Sequence, residues 1–278
     1  ADHGFGTPKM VHLIYLMKVF VFYGGVGIVL ATLTSGLNPL HVTEWWNQPI
    51  VYQKLILWTI LLELLGLAGS WGPLAGKTKP MTGGYRFWAK LNTIRLRPWK
   101  AVPFTDGDRR TRFDVGVYLA LMATIGVALV APGVHSASLS AALPDNTSGL
   151  VSPALLILPM VLLVVIGLRD KTIFLAARGE QYMPALIMFG LLPLLSFATM
   201  IVGLKLLIVV VWVGAGMSKI GKHFINVIPV MVSNSPCMPF KGLRRAHYRN
   251  APHDLLPSRL ARFMAEGLGT FVEIVAPL

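Results

Sequence analysis

The stretch Val209–Phe224, VVVWVGAGMSKIGKHF, leaves a long apolar run and meets Lys219, Lys222 and His223 within five residues. A lysine whose pKa is lowered by partial burial can act as a general base. Lysines at the end of a membrane span also have a purely structural use, because they snorkel to water and favour helix C-termini. The spacing fits both readings. Residues three apart on a helix differ by about 60° around the axis and about 4.5 Å along it. Lys222 therefore lies nearer to water. Lys219 lies nearer Gly214 and Gly216, whose small faces admit a neighbouring helix. Lys219 is the candidate base, and Lys222 and His223 are candidate ligand or headgroup contacts.

A second candidate is Glu63, in the middle of the apolar run Val51–Pro73. A charge at the centre of a span costs roughly 2.5–3.5 kcal/mol on insertion scales. Its carboxylate needs a partner, a proton or a polar cavity. Lys18, inside the first apolar run, is the candidate partner by depth. A proton or ligand site is the other use of such a residue. The arginines form a third group. Arg95, Arg97, Arg109 and Arg110 lie in one basic loop, and Arg244 and Arg245 lie in the segment LRRAHYRNAPHDLLPSRLARF. Cations interleaved with aromatic and aliphatic residues suit anionic lipid headgroups. His223, His247 and His253 do not have the helical spacing of a metal pair. The apolar interiors are nearly free of histidine, which argues against a b-type haem. The expectation is no metal and no haem. The single Cys237 excludes an internal disulfide.

The elements that must position these groups are membrane spans. The 278-residue chain is 54% hydrophobic and only 13% charged. Its mean hydropathy is +0.64. A soluble domain carries about twice that charged fraction. The net charge of +13 is concentrated in loops that border apolar runs, so it points to membrane and lipid and not to nucleic acid. The apolar runs are Val11–Leu33, Val51–Pro73, Val115–Pro132, Ala154–Leu168, Pro184–Met217 and Phe263–Leu278. A span needs about 20 residues. The run Pro184–Met217, at about 51 Å if helical, is too long for one span.

Lysine and arginine set the orientation. Lys77–Arg112 holds ten, Arg169–Arg178 three and Lys219–Arg262 eight, whereas Ser35–Pro49 and Val134–Ser152 hold none. The basic loops are therefore expected in the cytoplasm, together with the N-terminus. Keeping the second and third basic loops on one side requires Pro184–Met217 to fold as two short helices, with a turn at Ile201–Leu204 near Gly203. The fold class is an all-α polytopic integral membrane helix bundle, with six complete spans, a seventh begun, and the N-terminus cytoplasmic. Residues 1–278 form one transmembrane domain with cytoplasmic basic segments at 77–112 and 219–262. The missing initial methionine and the ending inside an apolar run suggest a piece of a longer chain. Within the first basic segment, RFWAKLNTIRLRPW alternates bulky and basic residues around Asn92-Thr93, which predicts a short hairpin. PFTDGDRR reads as a turn. Asn146-Thr147-Ser148 is a glycosylation sequon by pattern, in a loop.

The strings GYRFW, IRLRPWK, PFTDGDRRTRFDV, VWVGAGMSKIGKHF, MVSNSP and LRRAHYRN…DLLPSRLA together resemble a family of bacterial multi-span membrane proteins known only as a domain of unknown function. That resemblance covers nearly the whole chain and implies a bacterial inner-membrane location. A shorter resemblance, GAGMSKI alone, is to the horizontally transferred transmembrane domain of vitamin K-dependent carboxylases. There the lysine matching Lys219 is proposed as catalytic base, on the lumenal side. The charge distribution puts Lys219 on the cytoplasmic side.

Three functions fit these residues. One is binding or modifying a lipophilic molecule, such as a lipid or quinone, near the cytoplasmic face. Another is a non-catalytic subunit or scaffold that docks lipid headgroups, a membrane-protein partner or a second copy. A transporter is the third, although no internal repeat supports it.

Overall fold

The structure is a computed structural model that describes residues 9–67, 84–221, 223–235 and 238–277. Residues 77–83 of the first basic loop, Lys222 and Cys237 lie outside the described residues. The chain divides into two compact units. One is Met17–Leu204. The other combines Lys205–Leu278 with Ala1–Leu16.

Helix α1 (Lys9–Lys18) runs through a π-helical stretch, Val19–Val26, into α2 (Gly27–Leu33). The wider π winding leaves a carbonyl available, and the Trp58 indole donates to Phe22 O at 2.7 Å. A Cβ on Gly27 would stand 2.9 Å from the Trp58 ring, so the lack of a side chain is what lets the helices approach. After the short α3 (Val42–Trp45), α4 (Pro49–Leu65) starts with Pro49 in its first turn and stops at Gly66, φ +72°. A Cβ on Gly66 would lie 2.8 Å from the Cα of Gly84, so the chain meets itself where it returns into α5 (Tyr85–Trp88). Helix α6 (Arg112–Val130) opens on a capping box, with Thr111 and Asp114 bonded reciprocally. The short α7 (Ala137–Ala142) precedes α8 (Pro153–Arg169), and α9 (Lys171–Ala176) leads to α10 (Gly179–Gly190). Helix α11 covers Phe197–Ser218.

Packing follows chain order: α2 lies on α4, α4 on α6, α6 on α8 and α8 on α10. Their shared core includes Leu57, Trp88, Tyr118, Leu121, Leu163 and Phe189. The two ends of this up-and-down bundle differ in chemistry. One end gathers the start of α6, the end of α8 and the start of α9 around Arg95, Arg110, Asp114 and Asp170. The other end is held by neutral amides. Gln48 accepts from the Asn146 amide at 2.9 Å, and Gln53 accepts from Val151 N at 2.8 Å. The Asn146 side chain of the sequon is thus bonded inside a loop.

The second unit contains the rest of α11, α12 (Phe224–Asn234), α13 (Lys241–Ala246), the antiparallel strands β1 (Tyr248–Asn250) and β2 (Asp254–Pro257), and α14 (Arg259–Arg262). A π-helical stretch, Phe263–Gly269, continues into α15 (Thr270–Val275). The apolar helix α12 falls inside the stretch 219–262, read from sequence as a cytoplasmic basic segment.

Several expectations change. Among the described residues, three helices are long and apolar enough to cross a membrane: Leu16–Leu33, Arg112–Val130 and Phe197–Ser218. Pro153–Arg169 is a shorter apolar helix, and α4 has 17 residues. The turn expected at Ile201–Leu204 is absent, since α11 is continuous through it. The break instead lies between Gly190 and Phe197, where Pro193 sits in a 3-10 turn, Leu192–Leu194. Proline ends a helix more forcibly than a glycine does. Gly203 is used for packing, because a Cβ there would collide with Leu192 and Met188. The hairpin expected around Asn92-Thr93 is also absent. Tyr85–Trp88 is helical, Asn92 turns the chain at φ +60°, and Ile94 bridges to Arg109.

Candidate functional site

The charged end of the first unit is built from the two strings PFTDGDRRTRFDV and GLRDK. Arg95 is fully buried. Its Nη2 donates to the carbonyls of Thr105, Asp106 and Gly107 at 3.1, 2.6 and 3.0 Å, and its Nη1 to Arg169 O at 3.2 Å. The Arg95 guanidinium also lies 3.6 Å from Asp114. Arg169 Nε donates to the same Asp114 carboxylate at 2.6 Å, and Arg169 stacks over Phe113. Arg110 Nε donates to Asp170 at 2.7 Å, with its guanidinium over Phe87. Asp170 in turn caps α9 by accepting from Thr172 N and Ile173 N. Each charge faces an opposite charge, as burial of ions demands, while Arg95 Nε and Arg110 Nη2 are buried without a hydrogen-bond partner among the described residues.

Glu63 lies in the last turn of α4, close to the charged end, and not at the centre of a span. It is buried, and its charge reaches Lys18 and Tyr182 of α10. An electrostatic interaction links Glu63 to Lys18, at the end of α1. A third buried cation, Lys54, is one that sequence reasoning passed over. Its Nζ donates to Thr34 O at 2.7 Å and to Thr34 Oγ1 at 3.0 Å. Thr34 is the C-cap of α2. Lys54 thus closes the negative end of a neighbouring helix. Its mark in the sequence is a lysine five residues after the helix-starting proline.

In the second unit, Lys219 forms an ion pair with Glu273 of α15. Both side chains are largely covered, and the ammonium also lies 5.3 Å from the Phe224 ring centre. The thin turn predicted before Lys219 has the expected neighbour. A Cβ on Gly216 would stand 2.6 Å from Ile274 and 3.3 Å from Glu273 Cβ. Gly214 faces open space. Glu273 Oε2 is buried without a hydrogen-bond partner. His223 is exposed. Among the described residues, no three His, Cys, Asp or Glu side chains gather as a metal site.

The remaining arginines divide by burial. Arg244 is buried and donates to Met238 O at 2.7 Å and Ser235 O at 3.2 Å, fixing the turn after α12. Nearby, the Tyr248 hydroxyl bonds Ser233 at 2.6 Å and donates to Pro229 O at 3.0 Å. Burial pushes that phenol up, and the Ser233 bond opposes it. Arg109 and Arg245 are exposed, and Arg97 pairs with the exposed Asp106. Arg249 and Arg262, which sequence reasoning did not single out, border a cleft of about 470 Å³ with Glu266, Asn226, Ile225 and Leu256. Beside it, Leu255, Leu260 and Phe263 are exposed.

Long apolar helices with lipid-compatible outer faces define an α-helical integral membrane protein. The chain belongs to the family described as transmembrane protein of unknown function (DUF3556), which matches residues 1–278. No curated protein and no solved structure matches it.

Proposed function

We propose that the protein binds a lipophilic molecule, a lipid or quinone, near the cytoplasmic face of a bacterial inner membrane. The observation that carries this is the joint exposure of leucine, phenylalanine and arginine on Asp254–Phe263. Leu255, Leu256, Leu260 and Phe263 stand in solvent beside Arg249, Arg259 and Arg262. Apolar groups flanked by cations suit the boundary between headgroups and acyl chains. Lys219 and Glu273 supply a covered polar pair that a ligand's polar end can exchange with.

The cytoplasmic assignment rests on the two chemically different bundle ends. The end holding Arg95 and Arg110 faces the cytoplasm, and the lysine- and arginine-free loops at 35–49 and 134–152 face outward. Helix α10 leaves the charged end and α11 starts at the neutral end. Phe197 N donates to Ser138 Oγ at 3.3 Å, and Gln53 Nε2 reaches Met200 Sδ at 3.7 Å. Two helices therefore still separate Arg178 from Lys219, which supports six spans despite the displaced turn.

Native mass spectrometry of the full chain, extracted in mild detergent, tests the reading. A lipophile retained in simple stoichiometry is the expected result, and its identity follows from extraction. A chain that carries no lipophile from any membrane sinks the proposal. That outcome leaves the second reading, a scaffold, which is favoured by the way Arg95, Arg110 and Arg244 are closed on protein groups.

A further inference from the structure

We propose that the cleft beside the β1–β2 hairpin holds the headgroup of a glycerophospholipid whose phosphodiester carries a hydrogen-bond donor, a hydroxyl or a primary ammonium. This rests on the lipophile-binding reading and names the class of ligand and the groups that read it.

The cleft is lined on one side by α12, through Ile225 and Asn226, and on the others by Arg249, Leu256, Arg262 and Glu266. Its volume of about 470 Å³ falls within the usual range of roughly 300–1,000 Å³ for small-molecule sites. Two guanidinium groups and one carboxylate give a net charge of +1, the complement of a phosphodiester monoanion. Guanidinium binds phosphate oxygens through paired N–H groups. Arg262 and Glu266 close on no protein partner among the described residues. Arg249 has only a loose contact with Asp254, 3.5 Å away and largely exposed. The ionic groups are therefore available, unlike Arg95, Arg110 and Arg244.

Glu266 gives the cleft its selectivity. A carboxylate beside two arginines repels a second negative charge on the ligand, so a phosphomonoester dianion is disfavoured. It accepts a hydrogen bond from a terminal hydroxyl or ammonium. A trimethylammonium group has no N–H to give. The apolar side of the same ligand has its place as well. Ile225 and Leu256 line the cleft, and Leu255, Leu260 and Phe263 continue the apolar surface outside it.

The test uses the detergent-solubilised full chain, titrated with phosphatidylethanolamine, phosphatidylglycerol and phosphatidylcholine and read by native mass spectrometry. The first two should be retained about fivefold more than the third, the worth of roughly one hydrogen bond. Glu266→Ala should abolish that preference while phosphatidylglycerol still binds. Arg262→Gln should weaken all three lipids. Both side chains are exposed, and unchanged circular dichroism confirms that the variants fold. Equal retention of the three lipids, or variants that leave binding unaltered, overturns the headgroup site and spares the broader reading. Loss of all lipid binding in the parent protein removes both. Glycerophosphoethanolamine or inorganic phosphate competing as well as the intact lipid would show a soluble ligand and overturn the lipid assignment.

Discussion

The Lys219 ammonium is paired with Glu273, fifty-four residues further along, and lies over the ring of Phe224. The lysine that looks like a span-end anchor is thus a bridge between two helices of one unit. A base at this position must first be released from its carboxylate.

Lys219→Arg retains the charge and the ion pair but cannot give up its proton. The thermal midpoint should stay near that of the parent. Lys219→Met strands a largely covered carboxylate and should cost about 1–3 kcal/mol, the scale of a hydrogen bond to a charged group. Adding Glu273→Leu should recover part of the loss. Thermal unfolding in detergent reads all three. If Lys219→Met alone is neutral, the bridge carries no stability.

Glu63→Gln should destabilise the bundle more than Glu180→Gln, because Glu63 is buried and within electrostatic reach of Lys18 whereas Glu180 is exposed. The pair Lys18→Met with Glu63→Leu should regain stability relative to either single change. Strict additivity in this cycle would mean that the two groups do not interact.

Asp170→Asn leaves the buried Arg110 guanidinium without its counter-charge, and Asp114→Asn does the same to Arg95 and Arg169. Each should cost roughly 3–5 kcal/mol, the usual effect of removing one member of a buried pair. Arg97→Gln, which breaks an exposed pair, should cost less than about 1 kcal/mol. Urea unfolding of the three variants orders them. Equal effects would contradict a lattice that holds the bundle end.

Topology is checked in a Cys237→Ser background with single cysteines at Lys100 and Thr147, both exposed. A membrane-impermeant maleimide applied to intact cells should label Thr147→Cys and spare Lys100→Cys. The opposite pattern inverts the proposed orientation.

Membrane class, the principal apolar helices and the segregation of cations are legible in the sequence because each depends on local composition. The groups at either end of the bundle are less so. Arg95 and Arg110 look like lipid contacts in a basic loop. Their burial follows from Asp114 and Asp170, and Asp170 lies 60 residues from Arg110. Glu273 is invisible as a partner of Lys219 for the same reason. The displaced turn has a different cause. Gly203 and Pro193 are both breakers on paper, and only the packing of Gly203 against Met188 shows which of them bends the chain.

Gly66 and Gly84 stand so close that a Cβ on Gly66 would lie 2.8 Å from the Gly84 Cα. Both hold positive φ, +72° and +107°. The end of α4 and the start of α5 are therefore joined by a double lock that only glycine fits. At position 66 a side chain would meet both a disfavoured backbone and the main chain of its neighbour. A single methyl group there would pry the end of one helix from the start of the other.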